Sequence, residues 1–292
     1  MQIAIYSRNF SPQDQSDVQL LIHTLHQHGM QLWIYGPWYE QMQASIKWPQ
    51  KPVLFYVAQD LDEEIACMIS VGGDGTLLDT LCFVRNKSIP VIGVNMGRLG
   101  FLANIGREMI GRMADALLAH DYVIEKRILL HLDASIPLFG EVPYALNDFT
   151  LHKKDASSMI RIHAFLNGEF LNTYWADGLI VATPTGSTAY SLSCGGPILL
   201  PEAGGFVVTP VAPHNLNVRP LVVPDDAVIS FEIEGRSEQF LCTLDARMET
   251  ITSDVKMAIR KEDFMLNLIR LQETNFLQTL RNKLFWGIDK RN

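Results

Sequence analysis

Cysteine is scarce in this chain, which contains four cysteines in 292 residues. They are widely spaced, form no CxxC pair and have no histidine cluster beside them: Cys67, Cys82, Cys194 and Cys242. This spacing indicates neither a disulfide framework nor a zinc site. We expect buried free thiols instead.

Basic charge is also sparse, because 24 Lys and Arg residues stand against 32 Asp and Glu residues and the net charge is −8. The chain has no run of four or more basic residues. A protein that binds nucleic acid irrespective of sequence needs a basic surface to displace counterions, so we expect no nucleic-acid partner. Any anionic ligand must therefore be held by a local group of donors.

Long apolar runs are missing as well. No window reaches the roughly eighteen apolar residues that a membrane-spanning helix needs. Residues 1–6 lack the basic segment, long apolar stretch and small-residue cleavage site of a secretory signal. We therefore expect a cytoplasmic protein with no membrane partner.

The secondary-structure pattern changes near residue 121. Before that point, apolar runs typical of strands alternate with apolar residues at helical spacing. The predicted strands are Gln2–Tyr6, Gln31–Tyr35, 66–71 and Val91–Val94, and the predicted helices lie around 18–25, 77–84 and 110–117. This alternation predicts a Rossmann-like α/β domain with a mostly parallel sheet, whose ligands lie beyond the carboxyl ends of the strands.

Strands dominate from residue 122 to 270. They are predicted over 124–133, 144–152, 159–166, 169–175, 179–183, 206–210, 227–233, Phe240–Leu244 and 256–260. Asn167-Gly168 is typical of a two-residue hairpin, and the whole region predicts a β-rich sandwich of antiparallel sheets. Residues 273–286 have apolar side chains at helical spacing, and we expect this last helix to pack back on the first domain. The predicted domains are 1–121 with 271–292, and 122–270.

A glycine-rich turn, Gly72-Gly73-Asp74-Gly75-Thr76, stands between a predicted strand and a predicted helix. Such a turn lets the backbone approach a phosphate closely. Because a carboxylate repels bare phosphate, Asp74 is better suited to accept a proton from an attacking hydroxyl or to engage magnesium. The alternative is an ordinary strand-to-helix turn in which Asp74 caps the helix.

Three further segments carry specialised residues. The first, residues 93–102, contains three glycines but lacks the GxGxxG spacing of dinucleotide-binding oxidoreductases. The second is the polar pair Asn147-Asp148, which alone would indicate a turn. The third, residues 177–197, predicts a strand, a hydroxyl-rich turn and a short helix begun by Ser187 or Thr188. Its hydroxyl and N–H groups suit a nucleotide, and Tyr190 suits a planar ring.

Together these segments make the chain similar to the bacterial NAD kinases. The glycine–aspartate turn alone is shared with diacylglycerol kinases, sphingosine kinases and phosphofructokinases. The more specific similarity lies in residues 93–102, Asn147-Asp148 and residues 177–198, and it continues in Pro213-His214 and Arg219-Pro220-Leu221. These segments follow one another in the order of the family.

The resemblance implies an ATP-dependent kinase that transfers the γ-phosphoryl group of ATP to the 2′-hydroxyl of the adenosine ribose of NAD. It implies ATP as the donor, a divalent cation such as Mg²⁺, and a homo-oligomer, either a dimer or a tetramer. It also implies that the β-rich domain binds the dinucleotide. Asp74 is then the catalytic base.

The resemblance also assigns binding residues, one by one. The donor phosphates would lie on Gly72, Gly73, Gly75 and Thr76, with the metal ligands unknown. Asp74 and Gly75 would contact NAD, Asn147 and Asp148 would hold its ribose hydroxyls, and Asp177 would bind the nicotinamide side. The rest of the dinucleotide pocket would be formed by Thr188, Ala189, Tyr190, Ser191, Leu192, Ser193 and Ala212.

Three positions depart from the family pattern. Trp175 stands where some bacterial members have Arg, Ser158 where some relatives have a basic residue or His, and Arg247 where Gln is more usual. A strand-end packing role for Trp175 is an alternative to stacking on the ligand. Two other functions stay open: a lipid kinase with the same glycine turn, and a non-catalytic NADP(H)-binding sensor. The sequence leaves polyphosphate use, NADH acceptance and NADPH inhibition undecided.

Overall fold

The computed structural model describes residues 1–155, 159–236 and 238–286, so Ser158 lies outside the described residues. The chain forms two compact units. Unit 1 comprises residues 1–126 and the chain from Leu266 onward, and unit 2 comprises residues 127–265. Within the described ranges, no helix has the length and apolar character needed to cross a membrane.

Unit 1 is built on a parallel sheet. Its strands are β1 (Gln2–Tyr6), β2 (Gln31–Tyr35), β3 (Val53–Phe55), β4 (Ile65–Val71) and β5 (Val91–Val94). They are ordered β3-β2-β1-β4-β5 and every pair is parallel. The strand order therefore reverses between β1 and β4, which is the point where α/β sheets open a crevice for ligands. The sequence prediction of an α/β domain is confirmed.

Five helices of unit 1 lie among these strands: α1 (Gln15–Gln27), α2 (Gly36–Met42), α3 (Asp74–Asp79), α4 (Leu81–Val84) and α5 (Ile110–Ala119). Helix α1 buries the predicted stripe Val18, Leu21, Ile22 and Leu25. The helix predicted over 77–84 is divided at Thr80, whose hydroxyl donates to the Leu77 carbonyl over 2.6 Å. Such back-bonding tightens the turn and interrupts the α-helical pattern.

Unit 2 is dominated by strands. These are β6 (Tyr122–Ala134), β7 (Tyr144–Ala145), β8 (Asp148–Lys153), β9 (Ile160–Leu166), β10 (Glu169–Ala176), β11 (Gly178–Ala182), β12 (Gly205–Val211), β13 (Leu221–Pro224), β14 (Ile229–Glu234), β15 (Phe240–Leu244), β16 (Arg247–Ile251) and β17 (Met257–Leu271). The first residues of β6 and the last residues of β17 belong to unit 1. Between β11 and β12 lie a 3₁₀ turn (Gly186–Thr188) and the short helix α6 (Tyr190–Ser193).

The strands of unit 2 form two antiparallel layers. One is the six-stranded sheet β13-β12-β11-β8-β15-β16, and the other contains β10-β9-β14-β17. Their inner faces share one apolar core, in which the rings of Phe149 and Phe231 stack 5.6 Å apart. Asn167 and Gly168 have φ of +52° and +83°, as a primed hairpin turn requires. The predicted β-rich sandwich is therefore confirmed.

One predicted strand of unit 2 is wrong in a way that matters for the site. The single strand expected over 144–152 is interrupted at Leu146 and Asn147, which lie between β7 and β8. Their backbone N–H groups donate to the Asp245 carboxylate instead of a neighbouring strand. A side chain from a distant turn has replaced the ladder, and local sequence could not predict this.

Helix α7 (Phe276–Leu284) lies in unit 1. Asn275 caps it by accepting the Gln278 N–H over 2.8 Å. The Phe276 ring lies 6.3 Å from the Phe101 ring, and Glu273 pairs with Arg112 at 2.7 Å. The expected return of the last helix to the first domain is confirmed.

Candidate active site

The glycine-rich turn of unit 1 joins the end of β4 to α3. Gly72 has φ of +146°, and a Cβ there would lie 2.5 Å from the Thr76 hydroxyl oxygen. A side chain at this position would be strained in backbone and blocked by Thr76. Gly73 is the N-cap residue of α3, so the turn exposes backbone where the helix begins.

Asp74 does not cap the helix that it begins. Its Oδ2 accepts the Phe101 N–H over 2.8 Å, and its Oδ1 accepts the N–H groups of Leu102 and Ala103 over 3.0 and 2.8 Å. A Cβ on Gly100 would lie 1.8 Å from Asp74 Oδ1, so this glycine makes room for the carboxylate. The capping alternative is wrong. Asp74 connects the glycine turn to the segment after β5.

A cavity of about 340 Å³ lies beside this turn in unit 1. It is lined by residues that follow three parallel strands: Ser7 and Arg8 after β1, Gly72 and Thr76 after β4, and Asn95 and Gly97 after β5. The side chain of Asn95 shapes one wall, because its Nδ2 donates to the Arg98 carbonyl and its Oδ1 accepts the Gly97 N–H. The cavity thus occupies the crevice expected where the strand order reverses.

Arg8 is the cation next to the glycine turn. Its Nη2 donates to the Gly75 carbonyl over 3.0 Å and to Asp79 Oδ1 over 2.6 Å, while its Nε also contacts Asp79. Tyr6 donates its hydroxyl to Asp79 Oδ2, and burial together with Asp79 raises the pKa of Tyr6. The guanidinium is therefore held against the turn while 42% of the side chain remains exposed.

In unit 2 the pair Asn147-Asp148 is packed against the hydroxyl-rich turn. The Asn147 carbonyl accepts the Thr183 N–H over 2.9 Å, and Thr183 Oγ1 donates to the Leu146 carbonyl. A Cβ on Gly186 would lie 2.0 Å from the Asn147 carbonyl oxygen. Two segments that are far apart in sequence therefore touch through backbone, with no space for a side chain.

The residues of the hydroxyl-rich turn divide by orientation. Ser187 and Ser191 are fully buried; Ser187 Oγ donates to Pro184, and Ser191 Oγ pairs with Thr209 Oγ1 over 2.8 Å. Their hydroxyls therefore hold the turn together from the inside. The half-buried or exposed members are Thr188, Ala189, Tyr190, Leu192 and Ser193.

Asp177 lies between β10 and β11, and its N–H donates to the Val211 carbonyl over 3.0 Å. Ala212 follows directly, with φ of +45°, so the two predicted site residues belong to one end of the β11–β12 pair. Lys153 Nζ lies 2.5 Å from Asp177 Oδ1. Burial raises the pKa of Tyr190, and Cys194, Asp148 and Asp177 raise it further. The negative charges of both Asp148 and Asp177 therefore act on the Tyr190 hydroxyl.

Trp175 is a surface residue at the end of β10, with 49% of it exposed. Its ring lies 5.8 Å from the His214 ring in an edge-to-face arrangement, and Arg161 Cζ lies 6.0 Å from its centroid. The indole is therefore placed among polar partners and is not part of the apolar core.

Asp148 is a buried ionisable group of unit 2, with 6% of it exposed. Burial, together with the negative charge of Asp245, raises the pKa of Asp148 to about 7, and the Thr150 hydroxyl opposes the shift. Asp148 therefore exchanges its proton near neutral pH. A carboxyl in this state can either accept two hydrogen bonds or donate one.

Four polar residues near these sites are not predicted by any sequence pattern: Arg8, Asp79, Lys153 and Asp245. Each stands alone in sequence, outside any motif, and becomes part of a site only through contacts with distant segments. Arg247 is marked in the sequence only as a departure from the family. Its guanidinium donates to the carbonyls of Val142 and Tyr144 and lies 5.7 Å from the Phe139 ring.

Comparisons with known proteins agree across both units. Family models of the ATP-NAD kinase N-terminal domain and C-terminal domain match residues 38–122 and 146–271. The NAD kinase of Cytophaga hutchinsonii is 45% identical over 293 residues, covering 100% of each chain. Yeast NADH kinase complexed with NADH has a TM-score of 0.87 and 22% identity, covering 99% of this chain and 88% of that chain. An NAD kinase from Archaeoglobus fulgidus in complex with ATP has a TM-score of 0.73 and 21% identity, covering 98% and 99%.

Proposed function

The chain belongs to the ATP-NAD kinase family, and we propose that it transfers the γ-phosphoryl group of ATP to the 2′-hydroxyl of the adenosine ribose of NAD, giving NADP. The observation that carries this function is the full-length match to a bacterial NAD kinase. Two features of the structure are consistent with this function. In unit 1 the glycine–aspartate turn lies beside a crevice, and in unit 2 the hydroxyl-rich turn is packed on Asn147-Asp148.

Asp74 is assigned as the general base that accepts the proton of the 2′-hydroxyl. Two features support this role: the carboxylate is half-buried, and three backbone N–H donors hold it in one orientation. Phosphoryl transfer depends mainly on positioning and charge neutralisation, to which a well-placed base adds about 10²–10⁴-fold. A fixed carboxylate loses little entropy on reaching the reactive arrangement.

The donor phosphates are assigned to the cavity beside the glycine turn, in contact with Gly72, Gly73, Gly75 and Thr76. Arg8 adds a fixed positive charge at its wall, which favours the polyphosphate chain. Mg²⁺ enters as part of the ATP substrate. The described residues contain no group of three His, Cys, Asp or Glu side chains that could enclose a metal ion. Mg²⁺ bound mainly through the substrate phosphates and water fits this donor set.

NAD is assigned to unit 2. Asn147 and Asp148 would bind the adenosine ribose hydroxyls, and Asp177, held by Lys153, would bind the nicotinamide side. The wall between them would be formed by the accessible members of the turn and by Ala212, with Ser191 supporting the turn through Thr209. The shared influence of Asp148 and Asp177 on Tyr190 supports one continuous surface.

The deciding experiment incubates the purified chain with Mg²⁺, ATP and NAD and measures ADP release and NADP formation. We expect ADP release that depends on NAD, with NADP as the product. Parallel reactions replace NAD with diacylglycerol or sphingosine, and NADPH binding is measured without ATP. ADP release with a lipid but not with NAD would indicate a lipid kinase. NADPH binding with no turnover of any acceptor would indicate a non-catalytic sensor.

A homo-oligomer in the cytoplasm is part of the same proposal. Large apolar side chains on unit 2 are more than half exposed, among them Phe170, Leu200 and Leu216. Exposed apolar groups of this size favour burial against another protein surface. Light scattering coupled to size-exclusion chromatography would test for a dimer or tetramer.

A further inference from the structure

We propose that Asp245 is a positioning residue of the kinase reaction, whose carboxylate anchors the backbone of Asn147 and Asp148 and whose charge acts on the Asp148 side chain. The proposal rests on the proposed contact of Asp148 with the ribose of NAD. Asp245 lies in the β15–β16 turn, outside both the glycine-rich turn and the hydroxyl-rich segment.

The anchoring is visible in three hydrogen bonds. Asp245 Oδ2 accepts the Leu146 N–H over 3.0 Å, and Oδ1 accepts the N–H groups of Asn147 and Asp148 over 2.7 and 3.2 Å. Bonds from N–H to carboxylate are about twice as strong as those between neutral groups. These bonds interrupt the strand at residues 146–147 and hold the backbone of Asn147 and Asp148 in place of hydrogen bonds to a neighbouring strand.

The turn itself is built to stay in place. Asp245 adopts φ of +54° between β15 and β16, and its own N–H donates to the Asp148 carbonyl over 2.9 Å. The adjacent pair Leu244 and Phe149 is in register in the β15–β8 ladder. Arg247, the first residue of β16, donates to the carbonyls of Val142 and Tyr144 just before the anchored segment. Asp245 and Arg247 together therefore hold both ends of residues 142–148.

The charge of Asp245 acts on Asp148 at short range. The groups of unit 2 that interact with Asp148 are Asp245 from the β15–β16 turn, Tyr190 on α6, Cys194 directly after α6, and Thr150 on its own strand. Arg247, at the start of β16, acts on Asp245. Its partner on β11 is the uncharged Ala182. Asp245 is the carboxylate of this set, and its charge adds to burial in raising the pKa of Asp148 to about 7.

Protonation of Asp148 should then control ribose binding. The ionised carboxylate accepts hydrogen bonds from two ribose hydroxyls, whereas the protonated acid keeps less acceptor capacity. We therefore expect kcat/KM for NAD to fall as pH decreases through about 7. Replacing Asp245 by Asn removes a like charge and lowers the pKa of Asp148, so this fall should move to lower pH.

The test measures kcat/KM for NAD from about pH 5.5 to 8.5 in the wild type, Asp245→Asn and Asp254→Asn. Asp254 is a matched control, because it is an exposed carboxylate of unit 2 whose partner is Thr252. We expect Asp245→Asn to move the acid side of the profile by about half a pH unit or more and to raise KM about 3–10-fold. Asp254→Asn should match the wild type.

If Asp245→Asn does not fold, the pH profile of Asp148→Asn tests the proposal. Its amide cannot ionise, so the acid-side fall assigned to Asp148 should be absent from its profile. An unchanged fall in Asp148→Asn, or an unshifted one in folded Asp245→Asn, overturns the inference. A wild type that forms no NADP would overturn the proposed function instead, so the two failures are distinguishable.

Discussion

At the scale of single residues, Asp74 and Asp148 are the same side chain in opposite surroundings. Asp74 has both oxygens occupied by backbone N–H donors from the segment after β5. Asp148 is buried, has one weak bond from Thr150 at 3.4 Å and lies near a second carboxylate. The first arrangement fixes the direction of the Asp74 carboxylate, and the second favours the protonated form of Asp148. The different roles proposed for the two carboxylates therefore agree with the different neighbours of each.

Asp74→Asn tests the base. The amide is nearly isosteric but cannot accept the hydroxyl proton, so we expect turnover to fall about 10²-fold or more while the fold is kept. Its NH₂ group would also face an N–H donor of the 101–103 segment. The measurements are kcat and the thermal midpoint, with Asp115→Asn, an exposed carboxylate of α5, as the control. Turnover close to that of the wild type would remove Asp74 from the base role.

Trp175→Ala tests the exposed indole. An aromatic face attracts the positively charged oxidised nicotinamide by about 0.5–2 kcal/mol and the neutral reduced ring less. We therefore expect the decrease in kcat/KM to be about 2–10-fold larger with NAD than with NADH. Phe170→Ala, at the other end of β10, is the control and should treat both acceptors alike. Equal effects of Trp175→Ala on NAD and NADH would instead assign Trp175 to packing against His214.

At the scale of elements, glycines decide how closely segments approach. Gly100 brings the segment after β5 onto the Asp74 carboxylate, and Gly186 brings the hydroxyl-rich turn onto the Asn147 carbonyl. Neither has a positive φ, so the requirement is space and not backbone conformation. The sequence shows these glycines but not what lies opposite them.

Gly100→Ala should displace the Asp74 carboxylate, the proposed base, without unfolding the chain. The new Cβ would lie 1.8 Å from Asp74 Oδ1, so the carboxylate must move and lose part of its N–H contacts. We expect kcat to fall about 10–100-fold, since small misplacements of reacting groups cost this much. The control is Gly111→Ala in α5, which meets no atom within 4 Å and should stabilise the helix by about 0.5–1 kcal/mol. Unchanged kcat in Gly100→Ala would show that the carboxylate position is not critical.

At the scale of the whole molecule, the raised pKa of Asp148 makes stability depend on pH. The value rises from 3.8 to about 7, so the folded state binds the proton more tightly than the unfolded state. The stabilisation from that proton is full below about pH 4 and is lost as pH rises through about 7. The loss is of the order of 2–4 kcal/mol at most.

Asp148→Asn should therefore stabilise the protein at pH 8 but hardly at pH 5, where Asp148 is already protonated. We expect its thermal midpoint to exceed that of the wild type by a few degrees more at the higher pH, at about 2–4 °C per kcal/mol. Asp254→Asn should show no such pH dependence, because Asp254 has a lowered pKa and stays ionised at both values. A midpoint difference for Asp148→Asn that is equal at both pH values would contradict the raised pKa.

Local patterns of this sequence determined most of the architecture. The spacing of Val18, Leu21, Ile22 and Leu25 predicts α1, because the buried face of an amphipathic helix recurs every three to four residues within a short stretch of sequence. Asn167-Gly168 predicts its hairpin turn for a similar reason, since positive φ is a local requirement. The glycine turn and the 177–197 segment likewise indicate phosphate and nucleotide chemistry, because the glycines and hydroxyls that suit such ligands are contiguous in the chain.

Only the tertiary structure decided the partners of the functional side chains. Asp74 bonds to N–H groups 27–29 residues away, and Asp245 to N–H groups 97–99 residues away. Such contacts depend on which strands are neighbours and in what register, and neither is encoded in a short window. The sequence therefore determined which groups are available for chemistry, whereas the fold determined which of them meet, because hydrogen bonds and charges act over a few ångströms of space and not along the chain.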